Sequence, residues 1–268
     1  MNGTIGIDIG STCTKVVVLD GAQAVAQRLL LPTGWSSVDT AEDVRVRLAE
    51  SGVDTASLPV VATGYGRVSV PYADRCVTEI TCHARGACRI YGKTDLTVID
   101  IGGQDTKLIA VRNGTVTDFI MNDKCSAGTG RFLEVMASRL GVRPEELCGL
   151  AAQGSGVAIS SMCTVFAESE VISLIGRGEA RENIAFAVVD SIVKKVVSQA
   201  ARLEMRGAEV CLTGGLCGFP YVCASLSRAL GVPVLAETEG RYAGAVGAAL
   251  SAADGGKRAA SPEREGLS

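Results

Sequence analysis

Residues 7–15 read IDIGSTCTK, and residues 99–107 read IDIGGQDTK. The two stretches share Ile, Asp, Ile, Gly, Thr and Lys at the same spacing, and their surroundings repeat as well. TIGIDIG and LTVIDIG are β-branched runs of strand character. KVVVLD and KLIAV continue each copy as a second strand, and DGA and RNGT turn it into a third. A hairpin extended by one further strand is thus written twice. The copies lie far apart, which marks a duplicated domain and not a solenoid of short stacked repeats.

The chain between and after the copies is patterned for helices. Residues 36–52 carry Ser and Asp cap candidates and a Gly stop, and residues 77–92 form a second helical pattern. Further helices are expected over about residues 129–140, from Pro144 onward, over 165–175 and over 180–205. PVVATG reads as a strand, AEVCLTGG as a strand entering a glycine turn, and RYAGAVGAALSA as a helix of small residues. Strand lobes interleaved with helices predict an α/β architecture in two similar lobes. The expected division is a first lobe over 1–94, a second over 95–240, a helix over 241–253 that packs back on the first lobe, and a flexible tail over 254–268.

Bulk composition narrows the function classes. The 268 residues are 47% hydrophobic, enough for a sizeable core, and carry a formal net charge of −3. No basic field is present to collect a phosphate backbone, so no nucleic-acid partner is expected. No apolar run approaches the ~20 residues of a membrane span, and the N-terminus enters a strand pattern without the marks of a secretory signal. The ten cysteines on a long, well-cored chain therefore point to a reducing cytoplasm and not to a disulfide scaffold. There is no CxxC pair and only one histidine, His83, which disfavours a zinc ribbon or a His-rich metal site.

The repeated motif carries chemistry. Gly10 lets the backbone bend and present its N–H groups, Ser11 and Thr12 add hydroxyl donors, and Lys15 adds a positive charge, which together make an anion cradle. Asp8, at the strand end, is placed for a hydrated Mg²⁺, a hard cation that prefers carboxylate and water. The second copy supplies Asp100, Gly102, Gly103 and Gln104. Two facing cradles, each with an aspartate, suit a polyphosphate with its magnesium, and Gln104 could orient an attacking water. LTGGL at 212–216, with Gly214 and Gly215, adds a third glycine turn suited to a base or ribose. One DIG would be ordinary strand–turn chemistry; two with matching flanks and a later TGG favour nucleotide binding.

The cysteines are less decided by their residues alone. Cys125 stands in NDKCSAGTGRFLE and Cys163 in SSMCTVF, both polar stretches preceding predicted helices. Each could be a small core residue, a nucleophile or a metal ligand, and burial is the ordinary fate of cysteine. Cys13, Cys76, Cys82, Cys88, Cys148, Cys211, Cys217 and Cys223 read as small hydrophobes. His83 reads as a helix-surface or satisfied polar residue. Arg131 and Glu134 either reach a ligand or a second subunit, or pair with each other in solvent.

Taken together, DIGSTCTK, DIGGQDTK and LTGGL resemble the first phosphate, second phosphate and adenosine loops of the acetate and sugar kinase/Hsp70/actin superfamily. VATGYGR, EITCHARGA, VIDIGGQDTK, NDKCSAGTGRFLEVMA and SSMCTVFAESEVISLIGRG resemble one branch of it, the activator ATPases of 2-hydroxyacyl-CoA dehydratases and benzoyl-CoA reductases. The resemblance implies a duplicated actin-like, ribonuclease H-like two-lobed ATPase fold. It implies ATP or ADP bound by Gly10, Ser11, Thr12, Lys15, Gly102, Gly103, Gln104, Gly214 and Gly215. Asp8, Asp100 and Gln104 are the implied catalytic residues, with Mg²⁺ held by Asp8 and Asp100 through water. It further implies a homodimer sharing one [4Fe–4S] cluster, with Cys125 and Cys163 supplied by each subunit. ATP hydrolysis would then drive one low-potential electron to a partner dehydratase or reductase, with ferredoxin or flavodoxin as the source. Cysteines preceding helix starts would let helix N-termini face the anionic cluster. The rivals are a small-molecule kinase of the same superfamily, an actin-like assembly protein, and an activator serving a benzoyl-CoA or double-cubane-cluster reductase.

Overall fold

The computed structural model describes residues 2–122, 125–160, 163–205 and 207–255. Most of the expected tail, 256–268, lies outside the described residues, as do Asp123, Lys124, Ser161 and Met162 of the two cysteine motifs. The described residues divide into two compact units, one from 2–82 with 244–255 and the other within 83–243.

The first unit contains β1 (Gly3–Ile9), β2 (Cys13–Asp20), β3 (Val25–Pro32), α1 (Ser37–Glu50), β4 (Val60–Thr63) and β5 (Arg75–Cys76). Its five-stranded sheet runs β3-β2-β1-β4-β5, antiparallel as far as β1 and parallel beyond it. Ser36 caps α1 by accepting from the Asp39 N–H at 3.1 Å, and Asp39 in the first turn suits the positive end of the helix. Ala41, Val44 and Leu48 recur at helical spacing and bury against Ile5, Ile7, Ile9, Val16 and Val60. Full burial of a side chain such as Leu48 contributes roughly 1.5–3 kcal/mol. α8 (Ala243–Gly255) belongs mostly to this unit and packs Ala248 and Ala252 against Val61 and Cys82. It comes so close to β1 that a Cβ at Gly6 would overlap the Ala245 carbonyl and the Ala249 N–H.

α2 (Glu79–Tyr91) carries the chain across the division. The second unit then holds β6 (Leu96–Ile101), β7 (Thr106–Arg112), β8 (Thr115–Asn122), α3 (Gly130–Arg139), α4 (Pro144–Ala151), α5 (Thr164–Gly176) and α6 (Arg181–Ala200). It closes with β9 (Glu209–Gly214), α7 (Pro220–Leu230) and β10 (Val234–Ala236). Its five-stranded sheet has the order β8-β7-β6-β9-β10, the topology of the first with the same mixture of directions. The duplicated motif therefore occupies the same place in both sheets: central strand, tight turn, antiparallel neighbour. The core gathers Ile99 and Ile101 of β6 with Phe132, Leu133 and Met136 of α3 and Ile184, Val188 and Ile192 of α6. No helix among the described residues is long and apolar enough to cross a membrane.

Candidate functional site

β1 ends at Ile9 and β2 begins at Cys13, so Gly10, Ser11 and Thr12 form the first turn. It is closed by the Gly10 N–H donating to Cys13 O at 3.2 Å and braced by the Thr33 N–H donating to Thr12 O at 2.9 Å. Among the described residues the N–H groups of Ser11 and Thr12 have no partner, which leaves two adjacent donors for an anion. Lys15 folds back over this turn, its Nζ donating to Cys13 O at 3.4 Å.

The second turn, residues 102–105, closes the same way, with the Gly102 N–H donating to Asp105 O at 2.9 Å. Its carbonyls are also used. Gly102 O accepts from the Gly130 N–H at 2.9 Å and Gly103 O from the Arg131 N–H at 2.8 Å. Gln104 is exposed at the tip.

β9 reaches Gly214 beside this turn. Gly214 has φ 85° and ψ −167°, a conformation open essentially to glycine alone. A Cβ there would overlap the Ile101 carbonyl and stand 3.0 Å from Asp100 Oδ1. Gly215 has open space around it.

The two aspartates differ in surroundings. Asp100 is 1% exposed. Its Oδ1 accepts from Thr213 Oγ1 at 2.8 Å and lies 3.1 Å from His83 Nδ1, while Lys107 Nζ approaches Oδ2 at 3.4 Å and also pairs with Asp105. Burial pushes the Asp100 carboxyl upward, but the His83 and Lys107 charges and the His83 and Thr213 hydrogen bonds outweigh it. They hold Asp100 well below the usual carboxylate range. Asp8 is 5% exposed, and among the described residues its carboxylate accepts no hydrogen bond. Beside it, the fully buried Thr63 Oγ1 has no partner either. An orphaned buried hydroxyl next to an open carboxylate fits a hydrated hard cation. Asp100, the other expected magnesium ligand, has Thr213 and His83 on Oδ1 and Lys107 3.4 Å from Oδ2.

Sequence reading missed His83, Lys107 and Thr63. Of the two places expected for His83, helix surface or polar contact, it takes the second, buried against Asp100, a partner that the helical pattern does not name. Lys107 is the repeat of Lys15, and Thr63-Gly64 repeats Thr213-Gly214 at a strand end, so both were visible as echoes of residues already singled out.

Cys125 and Cys163 lie in the second unit, on segments bound to each other. Ser126 Oγ and Thr164 Oγ1, each the residue after a cysteine, are 2.9 Å apart. Asn122 Nδ2 donates to Cys125 O at 3.0 Å, and Thr129 Oγ1 donates to Ser126 O at 2.6 Å. Cys163 is exposed and is the N-cap residue of α5, whose end has no side-chain cap. For Cys125 the expected helix-end geometry is corrected. The first N–H groups of α3 are spent on the carbonyls of the second turn, and Thr129 separates Cys125 from the helix as its N-cap. Among the described residues no group of three or more His, Cys, Asp or Glu side chains gathers to hold a metal. A [4Fe–4S] cluster needs four thiolates, so the pair fits half of that donor set. Arg131 and Glu134 pair with each other at 3.3 Å on the exposed surface. Cys148, Cys211 and Cys217 are buried, as small hydrophobes should be; Cys76 is exposed.

Two sheets of one topology, each opening on a glycine turn beside a buried aspartate, define a duplicated actin-like ATPase fold. The chain belongs to the BadF/BadG/BcrA/BcrD ATPase family, which it matches over residues 5–252. It is 42% identical over 252 residues to the (R)-2-hydroxyglutaryl-CoA dehydratase activating ATPase of Acidaminococcus fermentans, spanning 93% of this chain and 96% of that one. Its structure is similar to the crystal structure of the Acidaminococcus fermentans (R)-2-hydroxyglutaryl-CoA dehydratase component A. There the TM-score is 0.87 at 41% identity, over 94% of this chain and 100% of the other. It is also similar to the activator of 2-hydroxyisocaproyl-CoA dehydratase from Clostridium difficile, solved with bound ADPNP. That comparison gives a TM-score of 0.86 at 37% identity, over 94% of each chain.

Proposed function

We propose that this protein is an ATP-dependent activator that delivers one low-potential electron to an iron–sulfur dehydratase or reductase. Similarity to dehydratase activators supports the activator role. The observation that supports the redox part is the Ser126–Thr164 hydrogen bond, which joins the residues that directly follow Cys125 and Cys163. A second copy of the chain, related by a two-fold axis, completes the four thiolates. A [4Fe–4S] cluster held there supplies reversible one-electron chemistry.

The chain's own residues divide the remaining work. On the first unit the Ser11 and Thr12 N–H groups and Lys15, and on the second unit Gly102 and Gly103, are each suited to phosphate oxygens. Asp8 and Thr63 would hold a hydrated Mg²⁺, which would offset the charge of the phosphates. Gln104 orients the attacking water, and Gly214 with Gly215 admits the nucleoside. The bonds from α3 to Gly102 O and Gly103 O give the phosphate turn a direct mechanical connection to the cysteine segment. Reduced ferredoxin or flavodoxin is the proposed electron source.

Anaerobic purification followed by iron analysis and molar-mass measurement tests this reading. About four irons per dimer, in line with the four thiolates such a cluster needs, and loss of iron in Cys125→Ala or Cys163→Ala are expected. An iron-free protein that phosphorylates a small molecule, or full iron in either variant, overturns it.

A further inference from the structure

The duplication supplies an internal control. Asp8 stands opposite Thr63 in the parallel pairing of β1 with β4, and Asp100 opposite Thr213 in that of β6 with β9. Each threonine is followed by a glycine with positive φ, Gly64 or Gly214, lying against the aspartate Oδ1 and the next carbonyl. Across the hairpin each aspartate faces a lysine, Lys15 or Lys107. Position for position the two constellations are the same.

Their wiring is not. Thr213 donates to Asp100, Lys107 pairs with it, and His83 closes the remaining side. In the first unit Lys15 turns to Cys13 O, and among the described residues Thr63 Oγ1 is buried without a partner and the Asp8 carboxylate accepts no hydrogen bond. The difference begins with the helices. α2 brings an imidazole to Asp100, whereas α8, packed on β1 at Gly6, reads AGAVGAALSAADG and has no cationic side chain to offer.

We propose that the two aspartates have divided their roles. Asp8, with Thr63, is the one carboxylate anchor for the nucleotide's Mg²⁺ shell. Asp100 is withdrawn from metal chemistry. Clamped by His83, Lys107 and Thr213, it is a positioning residue that ties the second phosphate turn to the strand end at Gly214, and His83 is the group that fixes it there. The inference rests on the nucleotide-binding half of the function proposed above and is independent of the cluster.

The test uses the full chain, with Mn²⁺ as the metal probe and ADP as the nucleotide. Mn²⁺ affinity is read by electron paramagnetic resonance on ADP-saturated protein, and ADP affinity by calorimetry in EDTA and again in Mg²⁺. Asp8→Asn is expected to weaken Mn²⁺ by roughly tenfold or more while ADP binds no more weakly in EDTA. Asp100→Asn and His83→Ala are expected to weaken ADP by about tenfold, equally in EDTA and in Mg²⁺, with Mn²⁺ affinity within about twofold of wild type. Should Asp100→Asn fail to fold by circular dichroism, Thr213→Val and His83→Ala carry the same comparison with the carboxylate intact. Asp100→Asn or His83→Ala costing Mn²⁺ as much as Asp8→Asn, or costing ADP only when metal is present, overturns the division of roles. Wild-type protein that binds no ADP overturns the nucleotide reading itself, and this inference with it.

Discussion

At the scale of single residues the ten cysteines sort by surroundings. Burial pushes the Cys148 thiol up to about 12 and the Cys217 thiol up to about 11, and raises Cys211 as well. The thiolate is the nucleophile that attacks an alkylating reagent, so these three are kept in the unreactive form. Mass-spectrometric mapping of iodoacetamide labelling at pH 8 on cluster-free protein should mark the exposed Cys76 and Cys163 first. Cys148, Cys211 and Cys217 should label only after unfolding. Anaerobic reconstitution with iron and sulfide should then protect Cys163 and Cys125 while Cys76 still reacts. Equal protection of Cys76, or none at Cys163, would contradict the half-site. The bond beneath that half-site is testable on its own. Ser126→Ala removes one partner of Thr164 and should cost about 1 kcal/mol in denaturant unfolding. It should also lower the iron retained after reconstitution, whereas Thr164→Ser keeps the hydroxyl and should retain both.

At the scale of elements the strand-end glycines separate packing from chemistry. Gly214 takes a glycine-only conformation against the Ile101 carbonyl, and Gly215 stands in open space. Gly214→Ala should cost roughly 1–3 kcal/mol from backbone strain alone. At about 2–4 °C per kcal/mol in a protein of this size, melting should fall by several degrees. Gly215→Ala should melt like the wild type, so any loss of ADP affinity in it reports on the ligand. Differential scanning fluorimetry with and without ADP separates the two. These glycines also show what the sequence makes legible. The IDIG turns are read directly because identical residues recur at a strand end, and both land on the same strand–turn–strand step. The ATG and LTG turns are the same repeat, but Thr-Gly alone is too short to announce itself until the register puts Thr63 opposite Asp8 and Thr213 opposite Asp100. His83 is hidden for another reason. Its partner sits on a different element, and helical patterning does not say which strand a helix covers. The α3 N-terminus misleads likewise. A helix start after a cysteine looks free for a cluster until the carbonyls of residues 102 and 103, far back in the chain, prove to have claimed it.

At the scale of the molecule the unexplained feature is α5. Ala167 and Val171 bury one side of it, but Val165, Phe166, Ile172 and Ile175 are all exposed, Phe166 to 65%. Four large apolar side chains left exposed on one helix form a patch of the kind that marks an interaction surface. The patch starts at Cys163, the N-cap of the same helix, so the proposed two-fold axis through four thiolates would run along its edge. The occupant this favours is a second copy of the chain. Phe166→Asp and Ile172→Asp place a charge where apolar contact is expected. Both are exposed in the single chain, so the fold should persist by circular dichroism with melting within a few degrees. Analytical ultracentrifugation should then show the wild type as a dimer and the double variant moving toward the 27.6 kDa monomer. Iron should fall in step with the dimer fraction, because half a donor set cannot hold the cluster. A variant that stays dimeric with full iron would place the interface elsewhere on the second unit. A monomeric variant that keeps its iron would break the link between dimer and cluster on which the four-thiolate count depends.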